Sequence, residues 1–481
     1  MSNSESNLTV SRVAVIGGGV SGLSAATYAS RLAQSPKVSL FERSDRIGGV
    51  IQTHRDGDYL IEKAADNFAT LIPDALELSK LVGVDDQLIA PREEGRRAFV
   101  LHRGELRPIP AGFSLMQPTR VGSILATRTL SLGGKLRLLG EFFVKARQAG
   151  GDESLESFVT RRLGREAYEN LVEPIVSGIF TANPKTLSMQ ATMPQFLAME
   201  RNSGGLIRGH LSAKRKDAAA AARKASGARY DQFRAPRDGM DTWLEGITSQ
   251  LPEGCLHLNT SVEAIVADGD SWRIQLADQA DQVFDAVILA TPTHVTSRLL
   301  ENVSKEASRL ASSIEYASSA VAAMIVNRRD IAGRLDGFGM ISPSRENRHA
   351  LAISYTSNKY EGRVPEDQVL LRVFMGGAMN PGVMELPDDE LEMIAKREVQ
   401  EILKWDGKDP NWIQIIRWNQ AMPQYTLGHR ERVASLKEEL SKTPTLQVCG
   451  AGYDGVGIPQ CVKSGRLAAE AIGKALPASS A

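Results

Sequence analysis

Cysteine is scarce in this chain. Only Cys255, Cys449 and Cys461 occur among 481 residues, and no two stand at C-x-x-C spacing. An odd, scattered set of three excludes a disulfide framework and reads as reduced, buried thiols of a cytosolic-type compartment. Net charge is missing as well. The 57 basic residues balance the 57 acidic ones, which leaves no electrostatic reason to expect nucleic acid as a partner. No run approaches ~18 uninterrupted apolar residues, so no membrane-crossing helix is expected. The first ten residues, MSNSESNLTV, are polar and lack the apolar core of a secretory signal. Internal repeats and long low-complexity tracts are absent too. These features favour a cytoplasmic protein, soluble or attached peripherally to a membrane.

What remains is ordinary globular material, 42% hydrophobic and 24% charged. The length exceeds one compact core, so two or three domains are expected. Arg12–Ile16 (RVAVI) reads as a buried strand ending in a glycine turn, residues 21–32 as a helix, and Lys37–Phe41 as a second strand. Strand, helix and strand in about thirty residues make one βαβ unit. Further on, 70–83 reads as a helix, 99–101 and 105–109 as a hairpin, and 118–147 as mostly helical. Helices continue over 154–163 and 168–180, the second interrupted at Pro174. Residues 201–234 are basic and alanine-rich, a solvated surface segment by composition. Asp238-Gly239-Met240 opens a helix. Strands are expected at 257–265, Ser271–Leu276, 283–290, 321–326, 351–355 and 369–374, with a helix over 388–405. A last strand, 446–449, and a last helix, 461–475, follow.

Chemistry enters at Gly17-Gly18-Gly19-Val20-Ser21-Gly22, a G-x-G-x-x-G between strand and helix. Gly17 permits the tight turn, Gly19 lets backbone approach a pyrophosphate, and Gly22 lets the helix pack on the strand. The helix start offers free N–H groups and partial positive charge to phosphates. Glu42 ends the second strand twenty residues after Gly22, where a carboxylate accepts from ribose hydroxyls. Arg43 follows it, and Gly48-Gly49 then lets the chain pass close to an extended dinucleotide, which separates FAD from NAD. Near the far end, Gly455-Val456-Gly457-Ile458 opens another helix. Its dipole would favour the negative charge that collects on a reduced flavin. Val262 and the Ala290-Thr291-Pro292 turn fit the adenosine half. Beginning, middle and end of the chain therefore close on one cofactor.

Taken together, RVAVIGGGVSGL, ERSDRIGGVIQT, LVEPIVSGIFTANPKTLS, PRDGMDTW, DGFGMISP, FMGGAMNP, MPQYTLGH and GAGYDGVGIPQCVKSGR resemble the protoporphyrinogen/coproporphyrinogen oxidase family of haem biosynthesis, over nearly the whole chain. The resemblance implies an α/β fold with a discontinuous Rossmann-type FAD-binding domain (8–95, 235–300 and 441–477). It adds a mixed-sheet α+β substrate domain (96–113, 206–234 and 301–440) and a helical, membrane-binding-like subdomain (114–205). It implies non-covalent FAD, a porphyrinogen and O2 as reactants, no metal, and no side chain in acid–base catalysis. Homodimer formation and peripheral membrane contact are compatible with it. The turn Ala64, Asp66 and Asn67 joins the cofactor residues, although a glycine is usual at 64 and an anion at 66 has no evident reason. Gly178, Phe338, Ile341, Ser354 and Phe374 fall at substrate-wall positions. Some relatives carry a cation for a propionate where this chain has Ala98, which leaves Arg97 to serve by a one-residue shift. His429 is followed by Arg430 where some members have an aromatic residue.

Two other readings stand beside this one. A flavin amine oxidase or carotenoid desaturase shares the first and last motifs. Cys449, on the strand before the final glycine turn, is misplaced for a covalent flavin. A prenyl-protein escort of the GDI type shares the fold without flavin chemistry, and Glu42 with Gly48-Gly49 argues against it.

Overall fold

The computed structural model describes residues 10–148, 150–216 and 232–477. The basic segment noted above lies partly outside them, at 217–231. A five-stranded parallel sheet forms the cofactor side, in the order Leu256–His257, Lys37–Phe41, Arg12–Ile16, Ala286–Leu289, Leu446–Val448. Val13 pairs with Ala286 and Val287 with Leu446, so remote stretches of chain lie side by side. Near-continuous apolar runs such as AVIL suit a sheet covered on both faces. The helices Val20–Ala29 and Ile458–Ala475 share one of its cores. They cross so closely that a Cβ on Gly465 would strike the Ser21 carbonyl and come within 2.9 Å of the Ala25 nitrogen.

The second layer is a seven-stranded mixed sheet. Its order is Trp412–Pro423, Tyr316–Asn327, Gln368–Gly376, Ala350–Tyr355, Gly339–Ile341, Phe99–His102, Glu105–Pro108. Only the pair of Gly339–Ile341 with Phe99–His102 is parallel. The helix Asp388–Leu403 buries Leu391, Ala395 and Val399 against one face, onto Phe99, Met340, Ile353, Leu371 and Val373. By the period of two, Val100, Ile341, Ser354, Arg372 and Phe374 point to the other face.

A helical part packs beyond that face, around Phe158, Leu171, Val176 and Leu206. Here the sequence expectation needs correction. Residues 118–147 hold two short helices, Val121–Ala126 and Leu132–Leu139, then a tight turn and extended chain. The expected interruption at Pro174 takes the form of a π-helical stretch, Tyr168–Val172, after which the α-helix Glu173–Phe180 runs on with the proline in its first turn. The helix at the C-terminus opens at Ile458, three residues before the expected Cys461. The strand Trp412–Pro423 was not foreseen.

Candidate functional site

The two glycine turns and the Ala290 turn lie together at the carboxyl ends of the parallel strands, where open α/β sheets bind ligands. Gly17 has φ +108°, and a Cβ there would stand 2.8 Å from the Ala290 oxygen. The Ala290 N–H donates to the Ile16 carbonyl at 2.8 Å. Around Gly19 the picture reverses: an added Cβ would meet nothing within 4 Å. That open cradle sits at the start of the helix Val20–Ala29, with Val20 and Ser21 in its first turn and no side chain capping it. The helix Ile458–Ala475 likewise opens at Gly457 without a side-chain cap. The uncapped helix start facing open space at Gly19 fits a pyrophosphate, while at the second turn the Gln460 side chain stands against Gly455 and Gly457. Cys461 links the two turns, its thiol 3.8 Å from the Gly455 carbonyl and paired with Ser21.

Glu42 holds the first turn in shape. Its carboxylate accepts from Gly18 N–H at 2.7 Å and from Ser44 N–H at 2.9 Å. Arg43 beside it is exposed. The Gly48 N–H donates to the Gly18 carbonyl at 2.8 Å, which seats the Gly48-Gly49 pair on the cradle. Thr260 N–H donates to the Glu42 carbonyl at 2.9 Å, bringing the chain just before Val262 alongside. Val262 itself opens an antiparallel strand paired with Leu276. Arg46, given no role from sequence, clamps this loop by donating to the carbonyls of Ile47, Gly49 and Ile51 at 3.0, 2.7 and 3.0 Å.

The Asp66 puzzle resolves in the packing. Lys359 Nζ lies 3.2 Å and Arg372 Nη1 3.6 Å from its carboxylate, and Asn67 donates to it at 2.7 Å. Burial alone would raise this carboxyl. Lys359 and Arg372 outweigh it and hold Asp66 below its ordinary value. Ala64, buried here, offers its carbonyl to Arg372.

Ile341, Ser354 and Phe374 share one sheet face, joined through the pairs Ile341–Ala352, Ala352–Phe374 and Ser354–Arg372. Gly178 reaches the same place: a Cβ on it would stand 3.9 Å from the Ile341 Cγ2. Phe338 is buried just before the strand, next to Gly339 with its φ of +151° and outside the core that holds Met340. Arg97 also stands apart. It is half exposed, 3.3 Å from Asp336, and lines a polar cavity of about 910 Å³ with Arg92, Arg328 and Arg363. That cavity is lined by none of the wall residues and by neither glycine turn.

Sequence reasoning gave no role to Tyr425 and His429, although both lie in the PQYTLGH motif. The Tyr425 hydroxyl donates to the Ala451 carbonyl, and His429 Nε2 lies 3.0 Å from the Tyr453 oxygen. They fasten the final glycine turn to the helical part, where Phe180 packs on Tyr425.

Glu62, buried under this site, accepts from Met240 N–H and the Thr53 hydroxyl, both at 2.9 Å. Burial pushes its carboxyl up to about 7, against these donors and the charges of Arg363 and Arg372. The folded value lies above the unfolded one, so its contribution to stability is complete near pH 4.5 and fades as pH rises through 7. Glu62→Gln mimics the neutral form. Relative to wild type, its unfolding free energy in urea is expected to gain about 2–3 kcal/mol between pH 4.5 and 8. A difference that stays constant with pH refutes the assignment.

A family model described as "Flavin containing amine oxidoreductase" matches residues 20–473. The coproporphyrinogen III oxidase of Staphylococcus aureus is 29% identical, covering 96% of this chain and 98% of that protein. The enzyme of the same name from Propionibacterium freudenreichii is 32% identical over 95% and 90%. Protoporphyrinogen oxidase 1 of Arabidopsis thaliana is 29% identical over 93% and 85%. Among solved structures, a protein of Exiguobacterium sp. 255-15, provisionally named protoporphyrinogen oxidase, superposes with TM-score 0.85 at 26% identity, over 97% of this chain and all of that one. An open glycine cradle at the ends of the parallel strands and these full-length similarities agree: the chain belongs to the flavin-containing amine oxidoreductases, on their protoporphyrinogen/coproporphyrinogen oxidase branch.

Proposed function

We propose that the chain oxidises a porphyrinogen to a porphyrin with non-covalent FAD and O2, taking coproporphyrinogen III ahead of protoporphyrinogen IX. The observation that carries this reading is the apolar face of Ile341 and Phe374, roofed by Gly178 and bordered by the 62–67 loop. A flat macrocycle needs such a slot more than it needs acid–base groups. When bound, the flavin supplies hydride acceptance from a bridging carbon, and three rounds remove three hydrides and three protons while O2 becomes H2O2. The chain's part is to exclude water and to hold the ring. Gly178 keeps the roof clear, Phe374 and Ile341 give the apolar wall, and Ser354 adds one hydroxyl.

Cys449 supports a flavin held without a covalent bond. It is buried, its sulfur stands 3.9 Å from the Ser21 carbonyl between two packed helices, and burial pushes the thiol far above its usual range. Glu42 and the glycine cradle supply the contacts instead. The preference for coproporphyrinogen III rests on relatives of that name that match over nearly their whole length.

The same reading includes a peripheral membrane contact. Leu132 and Leu136, one helical turn apart, are exposed with Phe143, and Arg208 stacks 4.5 Å from the neighbouring Phe142 ring. Apolar side chains flanked by a cation suit a lipid surface. Aerobic assay of the yellow protein with each porphyrinogen, read by porphyrin fluorescence, tests the reaction. Signal from coproporphyrinogen III is expected, and silence with both substrates defeats the proposal. Sedimentation with anionic liposomes, lost in Leu136→Ser, tests the contact; a wild-type chain left in the supernatant removes it.

A further inference from the structure

The porphyrinogen reading leaves one residue of the substrate-facing sheet without a task. Arg372 lies in the strand Gln368–Gly376, across from Ser354 and two residues before Phe374. It is only 2% exposed. A guanidinium so deep carries a desolvation cost that its partners must offset. Those partners belong to the cofactor side. Arg372 donates to the Ala64 carbonyl and stands 3.6 Å from Asp66, while its Nε finds no acceptor among the described residues. The Phe374 ring lies 5.2 Å from its Cζ. Two more side chains of this layer reach the same loop: Lys359 pairs with Asp66, and the Trp418 indole donates to the Lys63 carbonyl at 3.1 Å. The loop that carries Ala64, Asp66 and Asn67 is thus clamped to the substrate sheet.

The charges of this buried group do not cancel. Asp66 faces Arg372, Lys359 and Arg363. Glu62, the other carboxyl nearby, is pushed up to about 7 by burial and carries only part of a charge near neutral pH. Positive charge is left over where the local dielectric is low and its field is poorly screened. A reduced flavin gathers negative charge, so such a field favours reduction.

We infer that Arg372 is a positioning residue for the flavin, fixing the 62–67 loop against the cofactor and supplying buried positive charge that favours the reduced ring. The inference rests on the FAD reading above. It is independent of which substrate fills the slot.

The test uses FAD-loaded holoenzyme, with the midpoint potential measured by anaerobic dye-linked titration and FAD release by equilibrium dialysis. Arg372→Met is expected to lower the potential and to raise the FAD Kd at least about ten-fold, because the Ala64 carbonyl and Asp66 both lose a donor. Arg372→Lys keeps the charge and should restore the potential. It leaves the Kd raised, since one ammonium does not span both acceptors. Should Arg372→Met fail to fold, the double variant Arg372→Met/Asp66→Asn removes the buried carboxylate that would lose its arginine, leaves Lys359 partly exposed to water, and still predicts the raised Kd. Wild-type Kd in Arg372→Met or in the double variant overturns the clamp, and an unchanged potential in Arg372→Met overturns the field. A wild-type chain that retains no FAD defeats the flavin reading and this inference together. A chain that holds FAD but oxidises no porphyrinogen defeats only the substrate assignment.

Discussion

Gly22→Ala should yield a colourless protein. The helix Val20–Ala29 presses on its strand at this point, and an added methyl would collide with the Gly17 carbonyl while lying 3.2 Å from the Ala290 Cβ. Backbone cannot rotate away as a side chain can, so the helix start must shift, and forced insertion of this kind costs about 1–3 kcal/mol or more. The shift moves the N–H groups that would hold a pyrophosphate. FAD affinity is expected to fall by at least about a hundred-fold. Reconstitution with excess FAD, gel filtration, and absorbance at about 450 nm (a property of the flavin) read the outcome. A yellow variant with wild-type stoichiometry would sink the assignment of the turn. Gly19→Ala is the informative partner. No protein atom lies within 4 Å of its added methyl, so thermal stability should be kept while cofactor affinity drops, because the methyl occupies space meant for the ligand.

The second large effect is expected far from the cofactor. Arg162 is completely buried in the helical part and pairs with Glu141, also completely buried, and with Glu200 at 3.3 Å. It further donates to the carbonyls of Val144 at 3.0 Å and Gly204 at 3.2 Å. Glu141 in turn accepts from Leu206 N–H at 2.7 Å, so one network ties three segments together. Arg162→Met leaves Glu141 buried with no counter-charge, a loss of about 3–5 kcal/mol. The denaturation midpoint in urea should drop accordingly, with early proteolysis in the helical part. Arg162→Met combined with Glu141→Leu should recover much of the loss, because a well-packed apolar pair replaces the ions. A single variant as stable as wild type would show that the network carries no weight.

The cofactor half was legible because its signals are local. Glycines at fixed offsets after RVAVI dictate a strand, a turn and a helix within a dozen residues, and the structure repeats that order. Ile341, Ser354 and Phe374 were reached through family likeness, and strand pleating then sets all three on one face. Arg97 shows the limit of that route. Arg97 is one position from Ala98, and a one-residue step in extended chain turns a side chain to the opposite side. Here it turns toward Asp336.

Other features lay beyond sequence because they join residues that are neighbours only after folding. Arg372 and Ala64 are 308 positions apart, and no periodicity announces their contact. The apolar face over 118–147 suggests mostly helical chain, yet the extended Thr127 and the turn that starts at Gly140 divide it. The strand Trp412–Pro423 escaped notice because it is an edge strand, only partly buried, with a register shift against its neighbour at Ala317/Ser319. Its alternation of polarity is correspondingly weak.

During synthesis, the interlaced parallel sheet has a consequence of its own. The strand Leu446–Val448 and the helix Ile458–Ala475 emerge from the ribosome long after Ala286–Leu289 and the helix that follows the first strand, on which they pack. Early segments must wait, apolar faces uncovered, until the tail arrives, and pairings so distant in sequence are slow to form. Until these two elements are in place, the sheet lacks a strand and the second glycine turn has no helix to open.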